Sequence, residues 1–179
     1  MSVASSKARA RLAICLAGVL SLGSAVIAQL DSDPSRPRVR SSHAYIRAMI
    51  DEAARRSVTF RRLVEAIEAS DGIVYVEQGE CSNNVRACLT LSITPTADYR
   101  FLRVLVDARK PDWDVMASIG HELRHAIEVL SEASVRSSEA IFLLYMRAGM
   151  LMGDSFETSA AMRTGDAVRN EVASFSRRH

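Results

Sequence analysis

The 179-residue sequence is short of proline, cysteine and aromatic residues, with four, three and 6% respectively. Its four prolines and eight glycines exclude collagen-like and low-complexity chains, and 48% hydrophobic residues exclude wholesale disorder. No internal repeat is present, and the length argues for one domain. No proline follows Pro111, so the last third of the chain is free to be helical. Charge of one sign is also lacking. The formal net charge is +2, from 23 basic and 21 acidic residues. Three of the basic ones, Lys7, Arg9 and Arg11, precede the uncharged run Leu12–Ala28, which ends in the small-residue pattern Val26-Ile27-Ala28.

That arrangement reads as a secretory signal over residues 1–28, cleaved after Ala28. The alternative is an uncleaved anchor, for which 17 apolar residues followed at once by polar ones are short. Without the signal the chain carries 20 basic against 21 acidic residues, a net of −1. A basic surface for nucleic acid is thereby excluded. The expected compartment is periplasmic or secreted, with no membrane span left after cleavage. The arginine-heavy composition is associated with GC-rich bacterial sources.

Cys15 departs with the signal, and Cys81 and Cys88 remain. An even pair in an oxidising compartment reads as a disulfide, with a gain of about 2.5 kcal/mol from loop-closure entropy. A Cys–Cys metal site is the alternative, but six intervening residues exceed the usual zinc-knuckle spacing.

Residues 29–40, with Pro34 and Pro37, read as an extended, mobile leader to a domain over 41–179. Tyr45, Ile46, Met49, Ile50 and Ala53 keep helical spacing, as do Phe60, Leu63, Val64 and Ile67 after a break near Ser57. The period then falls to two. Ile73–Val76, Leu89–Thr94 and Phe101–Val106 read as three strands of a small, mostly antiparallel sheet, the first two joined as a hairpin through Cys81–Cys88. Three helices follow. One runs from an Asp112 cap to Leu130, a core helix covers Glu139–Met152, and the last covers Asp154–Ser176. Arg147 and the length of the second argue against a membrane span. The fold class is α+β.

The first of these helices contains His121-Glu122-Leu123-Arg124-His125, an H-E-x-x-H sequence. Residues four apart lie one turn above each other, so both imidazoles project from one face and can bind one Zn²⁺. Glu122, a step around the helix, is placed to take a proton from water at the metal and return it to a leaving group. With four histidines and eleven glutamates in the chain, chance produces the motif in only about 0.5% of such sequences. Its flanks are apolar on most sides, which disfavours a merely solvated pair.

The third ligand comes from elsewhere. His43 and His179 lack the Gly-x-x-His spacing of metzincins. Glu128 lies seven residues past His121, roughly 10 Å along the helix, and is assigned either a supporting role behind a ligand or a plain exposed charge. Glu157 is the better candidate. Its other reading is a capping box with Asp154, in which it serves only its own helix. Gly120, before His121, serves either close approach by sheet or substrate, or tight packing alone.

Gly120–Ala126, followed by the Glu-x-x-x-Ala of Glu157–Ala161, resembles the gluzincin branch of zinc metallopeptidases over roughly residues 100–172. The whole chain is similar to small exported bacterial proteins with a zincin-like core. The resemblance implies one Zn²⁺ per chain held by His121, His125 and Glu157, with Glu122 as the base. It also implies a peptide or protein substrate lying along Phe101–Val106 as the edge strand. Tyr145, Arg147 and Arg163 are the candidates for stabilising a tetrahedral intermediate. The expectation is an exported zinc-dependent peptidase. The alternatives are a zincin-fold metal-binding or scaffolding protein of the cell envelope without turnover, and a structural envelope protein in which the motif is coincidental.

Overall fold

The computed structural model describes residues 36–82, 85–109, 112–148, 150–152 and 155–176. The signal segment, most of the leader, Asn83-Asn84 and Asp154 lie outside the described residues. The elements are β1 (Val39–Arg40), α1 (Ala44–Arg56), α2 (Val58–Glu68), β2 (Gly72–Gln78), β3 (Ala87–Pro95) and β4 (Arg100–Val106). They continue with α3 (Trp113–Leu130), α4 (Ser138–Ala148), β5 (Met150–Met152), β6 (Ser155–Glu157) and α5 (Ser159–Ser176). The class is α+β, as expected.

The sheet differs from the expectation. It has four strands in the order β1-β2-β4-β3 and is mixed: β1 and β4 run parallel to β2, and only β3 is antiparallel to its neighbour. β2 and β3 therefore form no hairpin; the segment between them crosses to the far side of β4. A disulfide joins Cys81 in that crossing to Cys88 on β3. Val39 and Arg40, the end of the expected leader, are buried and paired with Val74 and Tyr75. Along β4 burial alternates: Leu102, Val104 and Val106 face the core while Arg103 faces solvent. β3 does not keep such alternation. Between Leu89↔Val104 and Ile93↔Leu102 the register shifts, so Leu91, which a strict period would bury, is exposed.

The helices cover one face of the sheet, and local chemistry fixes their ends. The Asp112 carboxylate accepts the Val115 amide (2.9 Å) and starts α3. Ser57 caps α2 through the Phe60 amide (2.9 Å) and donates to Glu171 of α5 (2.6 Å), tying three helices at one point. Gly120 packs against α5 and α2: a Cβ there would lie 3.0 Å from Val168 Cγ2 and 3.4 Å from Phe60 Cδ2. The close neighbours of this glycine are helix side chains, so its role is helix packing. α4 ends at Ala148, not Met152, and is core on one side only: Ile141, Leu144 and Tyr145 are buried, whereas Phe142, Leu143 and Met146 are exposed.

The C-terminal end of α3 is anchored by Arg100, 2% exposed at the start of β4. Its guanidinium donates to the carbonyls of Leu130 (2.7 Å), Glu132 (2.8 Å), Val135 (3.2 Å) and Val129 (3.3 Å), and pairs with Asp71 at 2.6 Å. A cation is favoured at a helix C-terminus, and here it also satisfies carbonyls that would otherwise be orphaned. The Arg100 hydrogen bond holds the Asp71 carboxyl below its usual range, so this pair stabilises above pH 3.8 and is lost as pH falls through the lowered value. Arg100→Ala should cost about 3–5 kcal/mol, the range for breaking a buried pair, when measured by urea unfolding. A loss below about 1 kcal/mol would mean that α3 ends without this anchor.

Candidate metal centre and cleft

α3 places His121 and His125 on one face, as i, i+4 spacing requires. Their rings meet edge to face with centroids 4.9 Å apart. Glu157 reaches them from β6, not from a helix: Met150–Met152 and Ser155–Glu157 pair as a hairpin, and α5 begins only at Ser159. The capping-box reading of Glu157 therefore fails. The residue capping α5 is Thr158, whose hydroxyl accepts the Ala161 amide (3.0 Å). Glu157 Oε2 lies 3.0 Å from His121 Nε2 and 3.8 Å from His125 Nε2, and one ligand atom from each residue falls within 4.8 Å of the others. This group could hold a metal ion.

The surroundings fit that use. His125 Nε2 and Glu157 Oε2 are buried and make no well-aligned hydrogen bond, Oε2 having only the ion-pair approach of the two imidazoles, an arrangement that leaves both atoms short of a full partner. The other ring nitrogen of His125 meets Glu128 Oε2 at 3.0 Å, and Glu128 Oε1 accepts the Thr158 hydroxyl at 2.8 Å. With Nδ1 directed to Glu128, Nε2 is turned toward Glu157 and the cleft. Glu128 thus lies outside the converging group. It orients His125 and, through Thr158, fastens the residue beside Glu157.

Electrostatics agree with the geometry. The imidazoles of His121 and then His125 hold the Glu157 carboxyl down at about 2. Burial opposes charge on His125, but Glu128 and Glu157 outweigh it and its pKa is pushed up to about 9. The positive charge that a proton brings to this cluster is the charge a metal ion would supply. Burial pushes Glu122 above the usual carboxylate range against the pull of His125 and His121. Its Oε2 accepts the backbone N–H of Leu89 on β3 (2.7 Å), while Oε1 stands 4.0 Å from His121 Nε2.

A cleft of about 850 Å³ opens over these groups, with β3 on one side and α3 and α5 beneath. β3 is the edge strand beside it, so the expectation that Phe101–Val106 holds that place is corrected: β4 is interior, paired on both sides. Tyr145 lines the cleft, but its hydroxyl donates to the His125 carbonyl (3.1 Å) and burial raises its pKa, so it braces the ligand helix. Arg147 Nε bonds the Leu143 carbonyl, and neither Arg147 nor Arg163 lines the cleft.

Sequence reasoning missed Leu89, whose contribution is a backbone amide, and Thr158, whose position before a small-residue run is a cap signal. It also missed Gly165. A Cβ there would lie 3.3 Å from His121 Cβ and 3.4 Å from its Nδ1, so this glycine lets α5 pass the ligand ring.

No protein-family model matches the chain, and no curated protein or solved structure matches it. The disulfide points to a compartment outside the cytoplasm. Among the described residues no helix is long and apolar enough to cross a membrane.

Metal affinity separates the roles. Glu157→Ala should weaken Co²⁺ binding, read by competition with a chromophoric chelator, more than Thr158→Val does. The latter should cost about tenfold, as loss of a ligand's support does. Unchanged affinity in Glu157→Ala would remove it from the ligand set.

Proposed function

We propose that this protein is a zinc-dependent hydrolase of the H-E-x-x-H kind. Within that class we infer an exported peptidase, periplasmic or secreted, that cleaves amide bonds of a peptide or protein substrate. The observation carrying the reading is the convergence of His121, His125 and Glu157 beneath a cleft that also holds Glu122. Two imidazoles and one carboxylate are a ligand set of catalytic zinc sites, which keep a further position open. Zinc–ligand bonds of about 2.0–2.1 Å in tetrahedral array put ligand atoms roughly 3.3 Å apart, and the separations of 3.0 and 3.8 Å bracket that value. A bound zinc ion supplies Lewis acidity toward a carbonyl oxygen and water.

The chain's own groups would do the rest. Glu122, held by the Leu89 N–H, takes a proton from water as it attacks the carbonyl carbon and delivers that proton to the departing amine nitrogen. Glu128 keeps His125 in the tautomer whose Nε2 is free. Among the described residues β3 is the edge strand along the cleft, where an extended peptide can add as a further strand beside the Leu89 amide that Glu122 holds. Hydrolysis needs only water as co-reactant.

Glu122→Gln is nearly isosteric and retains an oxygen for the Leu89 amide. It should keep zinc and fold while lowering kcat/KM by at least about 100-fold on a quenched-fluorescence peptide library. Cleavage retained in the variant would remove Glu122 as the base. Zinc bound by both proteins with cleavage by neither would favour a binding or scaffolding protein.

A further inference from the structure

The cleft is chemically different at its two ends. α3 runs along its floor from Asp114 to His125, about 16 Å at 1.5 Å per residue. At the Asp114 end the charges satisfy one another: Arg169 bonds Asp114 at 2.7 Å and Asp166 at 3.0 Å. At the His125 end the wall is aromatic, an unbroken series of ring contacts leading outward from the ligand. Tyr145 meets His125 edge-on at 5.4 Å, Phe156 stacks on Tyr145 at 5.7 Å, and Phe142 meets Phe156 edge-on at 5.5 Å. Phe156 precedes Glu157 directly and lines the cleft, as does the exposed Met162.

The same wall continues onto the surface. Phe142, Leu143 and Met146 are 46%, 59% and 55% exposed, on a helix whose other side is core. Contiguous exposed apolar surface of this kind marks a binding face. Its continuity with the metal centre says what binds.

We propose that Phe156, backed by Phe142, forms a specificity-determining subsite that receives an aromatic or large aliphatic side chain of a peptide whose backbone lies at the metal centre. This deepens the peptidase reading and rests on it for the class of ligand. A side chain extending from a residue beside the scissile bond would lay its apolar surface against Phe156. The Asp114 end is lined by smaller aliphatic groups, Val85 and Ala117, and by no aromatic ring. The subsite disfavours small and charged residues at that position.

The test uses two peptide hydroxamates, identical except that one carries a phenylalanine side chain and the other alanine, with the zinc-loaded full chain. The phenylalanine compound should bind at least about tenfold tighter, the scale of apolar side-chain discrimination. Phe156→Ala should abolish that advantage without changing affinity for the alanine compound or zinc content. Phe142→Ala, at the surface, should reduce the advantage by about threefold, a smaller loss because it removes only the backing ring. Equal affinities in the natural protein, or an advantage that survives Phe156→Ala, would overturn the subsite. If Phe156→Ala sheds zinc, an undiminished advantage in Phe142→Ala overturns it. Should the preference hold while no peptide is cleaved, the peptidase reading fails and the subsite stands. Failure of both compounds to bind the zinc-loaded protein would defeat both.

Discussion

Two imidazoles and three carboxylates are gathered where α3 meets β6 and the start of α5, in a region otherwise filled with apolar side chains. Removing such groups from water is costly unless they are paired, and here the pairing is incomplete. His125 Nε2 and Glu157 Oε2 are both buried, 3.8 Å apart, and neither makes a well-aligned hydrogen bond. A cation held by His121, His125 and Glu157 would satisfy both atoms. The close packing of α3 with α5, the hairpin that delivers Glu157 and the Glu128–Thr158 contact all serve this single constraint.

The rest of the fold keeps α3 in place. Asp112 fixes its start and Arg100 its end, so its histidines are held in register against β6 by anchors on both sides of them. Gly120 and Gly165 remove the side chains that would push α5 away, one against Val168 and the other against the His121 ring. β3, stapled at Cys88, presents the Leu89 amide to Glu122. Helix packing, a disulfide and a strand edge thus converge on one carboxylate.

Much of this was legible in the sequence because it depends on short-range chemistry. Asp112 and an apolar period of three to four predict α3 with both its bounds, and i, i+4 spacing places the histidines together. Glu157 is identified by the need for an acid, yet it sits on a strand. Gly153-Asp154 is a two-residue hairpin signal that a helical reading of Asp154–Ser176 overrides. The sheet was less legible. Strand order depends on where the 79–86 connection crosses, which no local pattern encodes, so β4 was expected at the edge and β3 in a hairpin. The bulge in β3 is hidden for the same reason, since Leu89–Thr94 alternates cleanly on paper. Nor does composition distinguish a helix buried all round from α4, whose exposed Phe142, Leu143 and Met146 read as core.

The proposed chemistry requires a metal ion held by His121, His125 and Glu157. Its most direct test is the zinc content of the purified protein beside that of His121→Ala, measured by plasma mass spectrometry after dialysis. Close to one zinc per chain is expected in the natural protein and near none in the variant, with both folded. Absence of zinc from a folded natural protein to which zinc has been offered, or equal zinc in the two, would contradict it.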